Sequence, residues 1–175
     1  NYLCALKGAN NVQEIFDTFT QFCILTATHN GYCGRVEINR LCQQILGFTD
    51  DNHWYHGRPV MVTKNDYQTE LYNGDVGICL NIAEHDDAPS YRVFFPTSAG
   101  FKDYIPSRVP VHEVAFAMTV HKAQGSEFNE VLFLMPDKAV RVLSKELVYT
   151  AITRAKEKVE LWGKSDVFLS TKVES

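Results

Sequence analysis

Several features are missing from this 175-residue sequence, and each closes off a class of function. No apolar stretch approaches the ~20 residues a helix needs to cross a bilayer. The start, Asn1-Tyr2-Leu3-Cys4, lacks a basic segment followed by an apolar one, so no signal peptide is expected. It also lacks a methionine, which points to a piece of a longer protein. The five cysteines (Cys4, Cys23, Cys33, Cys42, Cys79) are odd in number and show no C-x-x-C spacing. A disulfide framework and a zinc site are therefore not expected, and a reducing, cytoplasmic setting is. His29, His85 and His112 have no neighbours at metal-ligand spacing, so no metal site is assigned. Basic residues are few: 17 Lys and Arg against 21 Asp and Glu leave a net charge of −4. Nucleic acid could not be held by bulk field alone. The phosphate loop G-x-x-x-x-G-K-[ST] is absent, as is any apolar strand ending in an Asp-Glu pair that could hold Mg²⁺. No Ser-His-Asp or paired-carboxylate arrangement is credible, which excludes a self-contained hydrolase.

What remains is a globular composition, 45% hydrophobic and 22% charged, enough for one domain or a domain with a small insert. Charge is uneven. Residues 1–100 carry 6 basic and 11 acidic groups, residues 101–175 carry 11 and 10, so charge favours the second part over the first for polyanion contact.

Hydrophobic periodicity divides the chain by texture. Val12, Ile15, Phe16 and Phe19 predict a helix over 11–20, with asparagine as its cap. Phe22 to Thr26 reads as a strand and His29-Asn30-Gly31 as a turn. Ile38, Leu41, Cys42 and Ile45 give a second helix that ends near Gly47. From Gly57 the pattern changes to short β-branched or aromatic runs, Pro59–Thr63, Val76–Ile82 and Tyr91–Phe95. Asn73-Gly74-Asp75 and the acidic loop from Glu84 to Pro89 separate them. These runs predict a small β-barrel inserted in an α/β domain. After Val114 the α/β pattern returns, with strands near 114–118, 130–135 and 158–162. A helix near 144–156 would carry Leu147, Ala151 and Ala155 on one face.

Two runs carry chemistry. The first, Thr119-Val120-His121-Lys122-Ala123-Gln124-Gly125-Ser126-Glu127-Phe128, is a polar loop after an apolar strand, where α/β domains place ligands. Gly125 allows close backbone approach. Thr119, His121, Lys122 and Gln124 supply donors, and Glu127 suits a sugar hydroxyl better than a phosphate. The plainer reading is a solvated connection. The second run, Val148-Tyr149-Thr150-Ala151-Ile152-Thr153-Arg154-Ala155-Lys156, puts one arginine among small and apolar residues. Its fork would be well used on a phosphate; the plainer reading pairs it with Glu157. The cluster His53, Trp54, Tyr55 and His56 reads as a packing anchor in preference to a base-stacking surface.

Together the two runs resemble motifs V and VI of superfamily 1 helicases. The path from Cys4-Ala5-Leu6 through Gly34-Arg35-Val36-Glu37-Ile38-Asn39, Trp54-Tyr55-His56-Gly57-Arg58-Pro59 and Asn73-Gly74-Asp75-Val76-Gly77 resembles the C-terminal part of the RecD family, in the branch that moves 5′ to 3′. The tyrosine-arginine segment of motif IV is not found. The resemblance implies an α/β fold: the second RecA-like motor domain, in residues 1–56 and 113–175, with a Src-homology-3-like barrel inserted at 57–112. It implies a helicase subunit of exodeoxyribonuclease V, acting in double-strand break repair and recombination. ATP and Mg²⁺ would serve the full-length protein, with the Mg²⁺ ligands outside this segment. Partners would be single- and double-stranded DNA, RecB-like and RecC-like subunits, and the N-terminal motor domain of the same polypeptide. Arg154 is implied as the catalytic arginine, with Gly125 and Glu127 as further nucleotide contacts. Thr119, His121, Lys122, Asn65 and Asn73 are implied as DNA contacts. The segment alone is expected to be inactive. The rival reading is a non-catalytic module that binds a protein partner or single-stranded DNA.

Overall fold

The computed structural model describes residues 2–9, 11–48, 54–83 and 88–171, the side chain of Ser170 aside. His53 and the acidic stretch Glu84-His85-Asp86-Asp87 lie outside the described residues. Contacts divide the chain into two compact units, residues 1–16 with 44–115, and residues 17–43 with 116–175.

The second unit is built on a four-stranded parallel sheet in the order β7-β1-β8-β9. Its strands are β1 (Phe22–Thr26), β7 (Ala117–Thr119), β8 (Phe128–Leu134) and β9 (Ala155–Trp162). Thr26 stands opposite Thr119 on one side of β1 and opposite Leu134 on the other. Leu25, Val120, Ala123, Phe133 and Ala151 are fully buried and centre the core. Such burial is the main favourable term, about 25 cal/mol per Å² of apolar surface. The flanking helices are α3 (Arg35–Ile45), α4 (Lys145–Ile152) and α5 (Ser165–Ser170). Ser144 caps α4 by accepting from the Leu147 N–H at 3.2 Å.

The helix expected over 144–156 is shorter. It ends at Ile152, with Thr153 as its C-cap, and Ala155 already pairs with Phe128 as the first residue of β9. Ala155 therefore belongs to the strand and not to a helix face. The apolar stripe expected on α3 is half-buried at Ile38, Leu41 and Cys42 and does not extend to Ile45. Ile45 is 82% exposed, whereas Arg35 and Asn39, one turn apart, are the buried residues.

The first unit holds a five-stranded antiparallel sheet in the order β5-β4-β3-β2-β6. Its strands are β2 (Arg58–Val62), β3 (Val76–Asn81), β4 (Tyr91–Thr97), β5 (Gly100–Tyr104) and β6 (His112–Val114). Val60, Val62, Leu71, Cys79, Val93 and Phe95 form its core. Burial pushes the Cys79 thiol up to about 12, so it serves there as a small hydrophobe. The helix α1 (Tyr2–Gly8) is fastened by the Tyr2 hydroxyl, which donates to the Gly57 carbonyl at 2.9 Å. In α2 (Val12–Phe19) the expected asparagine cap is Asn11, whose Oδ1 accepts from the Glu14 N–H at 3.0 Å.

The run expected as one strand over 114–118 is two. Val114 pairs with Val60 in the antiparallel sheet, Ala117 pairs with Ile24 in the parallel one, and the Ala115 N–H donates to Pro59 between them. Trp54 and Tyr55 are half-buried, with the Arg58 guanidinium 5.1 Å and 5.8 Å from their rings and Phe48 stacked on Tyr55. His56 Nδ1 accepts from the Asn81 N–H, so Nε2 carries the proton and donates to the Leu6 carbonyl. These are packing roles. Among the described residues no helix is long and apolar enough to cross a membrane.

Candidate nucleotide and nucleic-acid site

The loop after β7 is fixed from beneath. The Thr119 carbonyl accepts from the N–H groups of Lys122 (2.9 Å) and Ala123 (3.1 Å), and the Ser126 N–H donates to Ala123 at 3.0 Å. Val120 and Ala123 turn inward and are fully buried. That alternation leaves His121, Gln124, Gly125, Ser126 and Glu127 exposed, with Thr119 and Lys122 half-buried. Gly125 has a φ of +88°, a region side chains rarely adopt, and the position of a Cβ would meet no atom within 4 Å. Its backbone is thus open to an approaching ligand.

Arg154 lies in the turn between α4 and β9, not on the helix. It reaches that loop. Its Nη1 donates to the Ser126 carbonyl at 3.2 Å, Nε to Thr150 O at 3.2 Å and Nη2 to Thr153 Oγ1 at 3.3 Å. All three acceptors are neutral, so none cancels the charge. The carboxylate of Glu127 stands 3.4 Å from Lys156 Nζ, both well exposed, a pairing worth little to stability. A surface cleft of about 210 Å³ opens between the loop and α4, lined by His121, Gln124, Ser144, Glu146 and Thr150 among others.

One unit therefore brings together Thr119, His121, Lys122, Gly125, Glu127 and Arg154. Asn65 and Asn73 belong to the other unit, where they meet each other: Asn65 Oδ1 accepts from the Asn73 N–H at 2.8 Å. Their turn is braced by Asp75 Oδ2, which accepts from the Tyr72 N–H at 2.7 Å, and by Asp66. Backbone N–H donation from Thr69 holds the Asp66 carboxyl below its ordinary range. Tyr67 and Tyr72, exposed and edge-to-face at 6.3 Å, flank the turn without having been singled out by the sequence.

Sequence reasoning also missed Asn39. Its amide accepts from the Ala117 N–H (3.0 Å) and donates to the Ala117 carbonyl (2.8 Å), acting as a partner strand for the edge of β7 just before the loop. A polar residue on an amphipathic helix gives no sign in sequence that it points inward.

A family described as UvrD-like helicase C-terminal domain matches residues 114–161, the span that contains both the loop and Arg154. The RecBCD enzyme subunit RecD of Haemophilus influenzae is 34% identical over 168 residues, 93% of this chain and 24% of that protein. That of Mycobacterium tuberculosis is 39% identical over 163 residues, 91% of this chain and 27% of that protein. The chain is RecD-like over nearly its whole length. It spans about a quarter of the length of these curated relatives. The fold of this RecD-like chain is similar to that of a solved Bacteroides Pif1 helicase in complex with ADP-AlF3 and ssDNA. The TM-score is 0.52 at 17% identity, over 91% of this chain and 44% of that one. The α/β architecture with a parallel sheet is thus one that helicases use.

Proposed function

We propose that this chain is the second motor domain of an ATP-driven 5′-to-3′ DNA helicase subunit of exodeoxyribonuclease V, acting in double-strand break repair and recombination. In this reading residues 1–56 and 113–175 make up the RecA-like motor and residues 57–112 a Src-homology-3-like barrel. RecB-like and RecC-like subunits and the N-terminal motor domain of the same polypeptide are its partners, in the cytoplasm. The observation that carries the reading is the bond from Arg154 to Ser126, which joins the arginine to the turn holding Gly125 and Glu127.

The donor set fits a nucleotide. Glu127 would accept from ribose hydroxyls, Gly125 would admit the ligand against backbone, and Arg154 would direct its fork at the phosphates. Bound Mg²⁺ would neutralise phosphate charge, held by groups outside this chain. Thr119, His121 and Lys122, with Asn65 and Asn73, would contact the DNA backbone, each a placed donor acting where bulk charge is negative.

Two results test the half-site. The 175-residue chain alone releases no phosphate from ATP, with or without single-stranded DNA. Turnover above background that survives repurification and Arg154→Ala would mean a complete site lies within it. In the full-length polypeptide, Glu127→Ala raises KM for ATP by about ten-fold and leaves kcat nearly unchanged, because a ribose contact is similar in ground and transition states. A fall in kcat at constant KM would remove Glu127 from the ribose.

A further inference from the structure

The C-terminal ends of β7 and β1 lie side by side. Thr26 is in register with Thr119, and the Val120 N–H donates to Thr26 at 3.1 Å. The segment leaving β1, Thr28 to Gly34, therefore emerges beside the loop that carries Thr119, His121 and Lys122, within the same unit.

That segment is held tightly. The Gly34 N–H donates to Gly31 (2.9 Å), Arg35 N–H to Thr28 (3.0 Å) and Val36 N–H to His29 (3.1 Å). A Cβ on Gly34 would stand 2.4 Å from the Asn30 carbonyl carbon, so glycine is required for this closure. Beneath it Arg35, 5% exposed, donates from Nη2 to His29 Nε2 at 2.7 Å. A guanidinium has donors only. Nε2 is therefore the acceptor, and Nδ1 carries the proton that goes to Asn30 Oδ1 at 2.7 Å. His29 and Asn30 are thus engaged in holding the loop.

What this frame presents is Tyr32, 78% exposed, with Val36 48% exposed near it. They border an open cleft of about 320 Å³ that Asn30, Gly31 and Glu37 complete. A phosphate is poorly suited to it. The first N–H groups of α3 are spent on Thr28 and His29, and Glu37 brings a carboxylate. A flat, neutral π-face suits it well, and a tyrosine on a rigid loop loses little entropy on stacking.

We propose that Tyr32 stacks on a base of single-stranded DNA whose backbone runs along Thr119, His121 and Lys122. This rests on the reading of those residues as DNA contacts. The test uses the full-length polypeptide and fluorescence anisotropy with a single-stranded oligonucleotide and an abasic one of equal length. Tyr32→Ala weakens binding to the normal strand by about ten-fold, in line with base–aromatic stacking elsewhere. Tyr32→Phe binds as wild type, and on the abasic strand all three bind alike. Because Tyr32 is exposed, thermal melting is unchanged in both variants. Wild-type binding by Tyr32→Ala while His121→Ala binds weakly would overturn the stacking role and keep the DNA face. An equal loss on the abasic strand would also overturn it, as would a lost subunit contact with DNA binding intact. Wild-type binding by both Tyr32→Ala and His121→Ala would overturn this proposal and the DNA face together.

Discussion

Replacing Arg154 with alanine in the full-length polypeptide lowers DNA-stimulated ATP turnover by about 10³-fold or more, the scale of arginine fingers in other NTPases. Affinity for single-stranded DNA stays within about two-fold of wild type, because an interaction realised only in the transition state leaves ground-state binding alone. The geometry supports the size of this effect. The guanidinium is half-buried and oriented by three neutral oxygens, so it is pre-positioned without being neutralised. Losing those bonds alone costs about 0.5–1.5 kcal/mol each at most, and less for exposed groups. Arg154→Lys fails as well, since an ammonium carries charge but not the planar fork. The check is kcat and KM for both variants beside a DNA-binding curve. Normal turnover with lost DNA binding would turn this arginine toward the strand.

Asn39→Leu lowers the stability of the protein by about 2–4 kcal/mol, the cost of stranding two buried backbone groups. Leucine fills a similar volume, so the loss is not a cavity effect. β7 is an edge strand whose other neighbour is β1. With Asn39 gone, the N–H and carbonyl of Ala117, itself fully buried, lose their partner. Asn39→Asp fails too, because a carboxylate would then face the Ala117 carbonyl. Urea unfolding measures it: the midpoint falls with little change in slope. A midpoint equal to wild type would mean that β7 is held by its pairing with β1 alone.

The sequence is legible where periodicity and burial agree. Phe22–Thr26 is a strand with the predicted bounds, and the runs that became β2, β3 and β4 differ from expectation by a residue or two. Legibility fails where a polar residue does the work of an apolar one. Asn39 takes an inward position of α3 because it meets the buried backbone of Ala117, Arg35 does so while its guanidinium reaches out to His29, and no apolar pattern marks either. The run 114–118 changes sheets at Ala115, a small residue that gives no signal of its own. β5 escaped notice because its residues are mostly exposed, and α1 and α5 because they are too short to show a helical period. The candidate site was legible as a motif in composition and order. Its geometry was not: Arg154 was expected on a helix and stands in the turn after it, where β9 begins at Ala155.

The central claim is that Arg154 completes a phosphoryl-transfer site whose other half lies outside this chain. The most direct measurement is the affinity of the full-length polypeptide for ADP and for ADP with aluminium fluoride, which mimics the transferring phosphoryl group. Wild type should bind the fluoride complex more tightly than ADP, and Arg154→Ala should bind ADP as wild type does while losing that extra affinity. If Arg154→Ala kept the full preference for the fluoride complex, the arginine would not act on the transition state, and the half-site reading would be wrong.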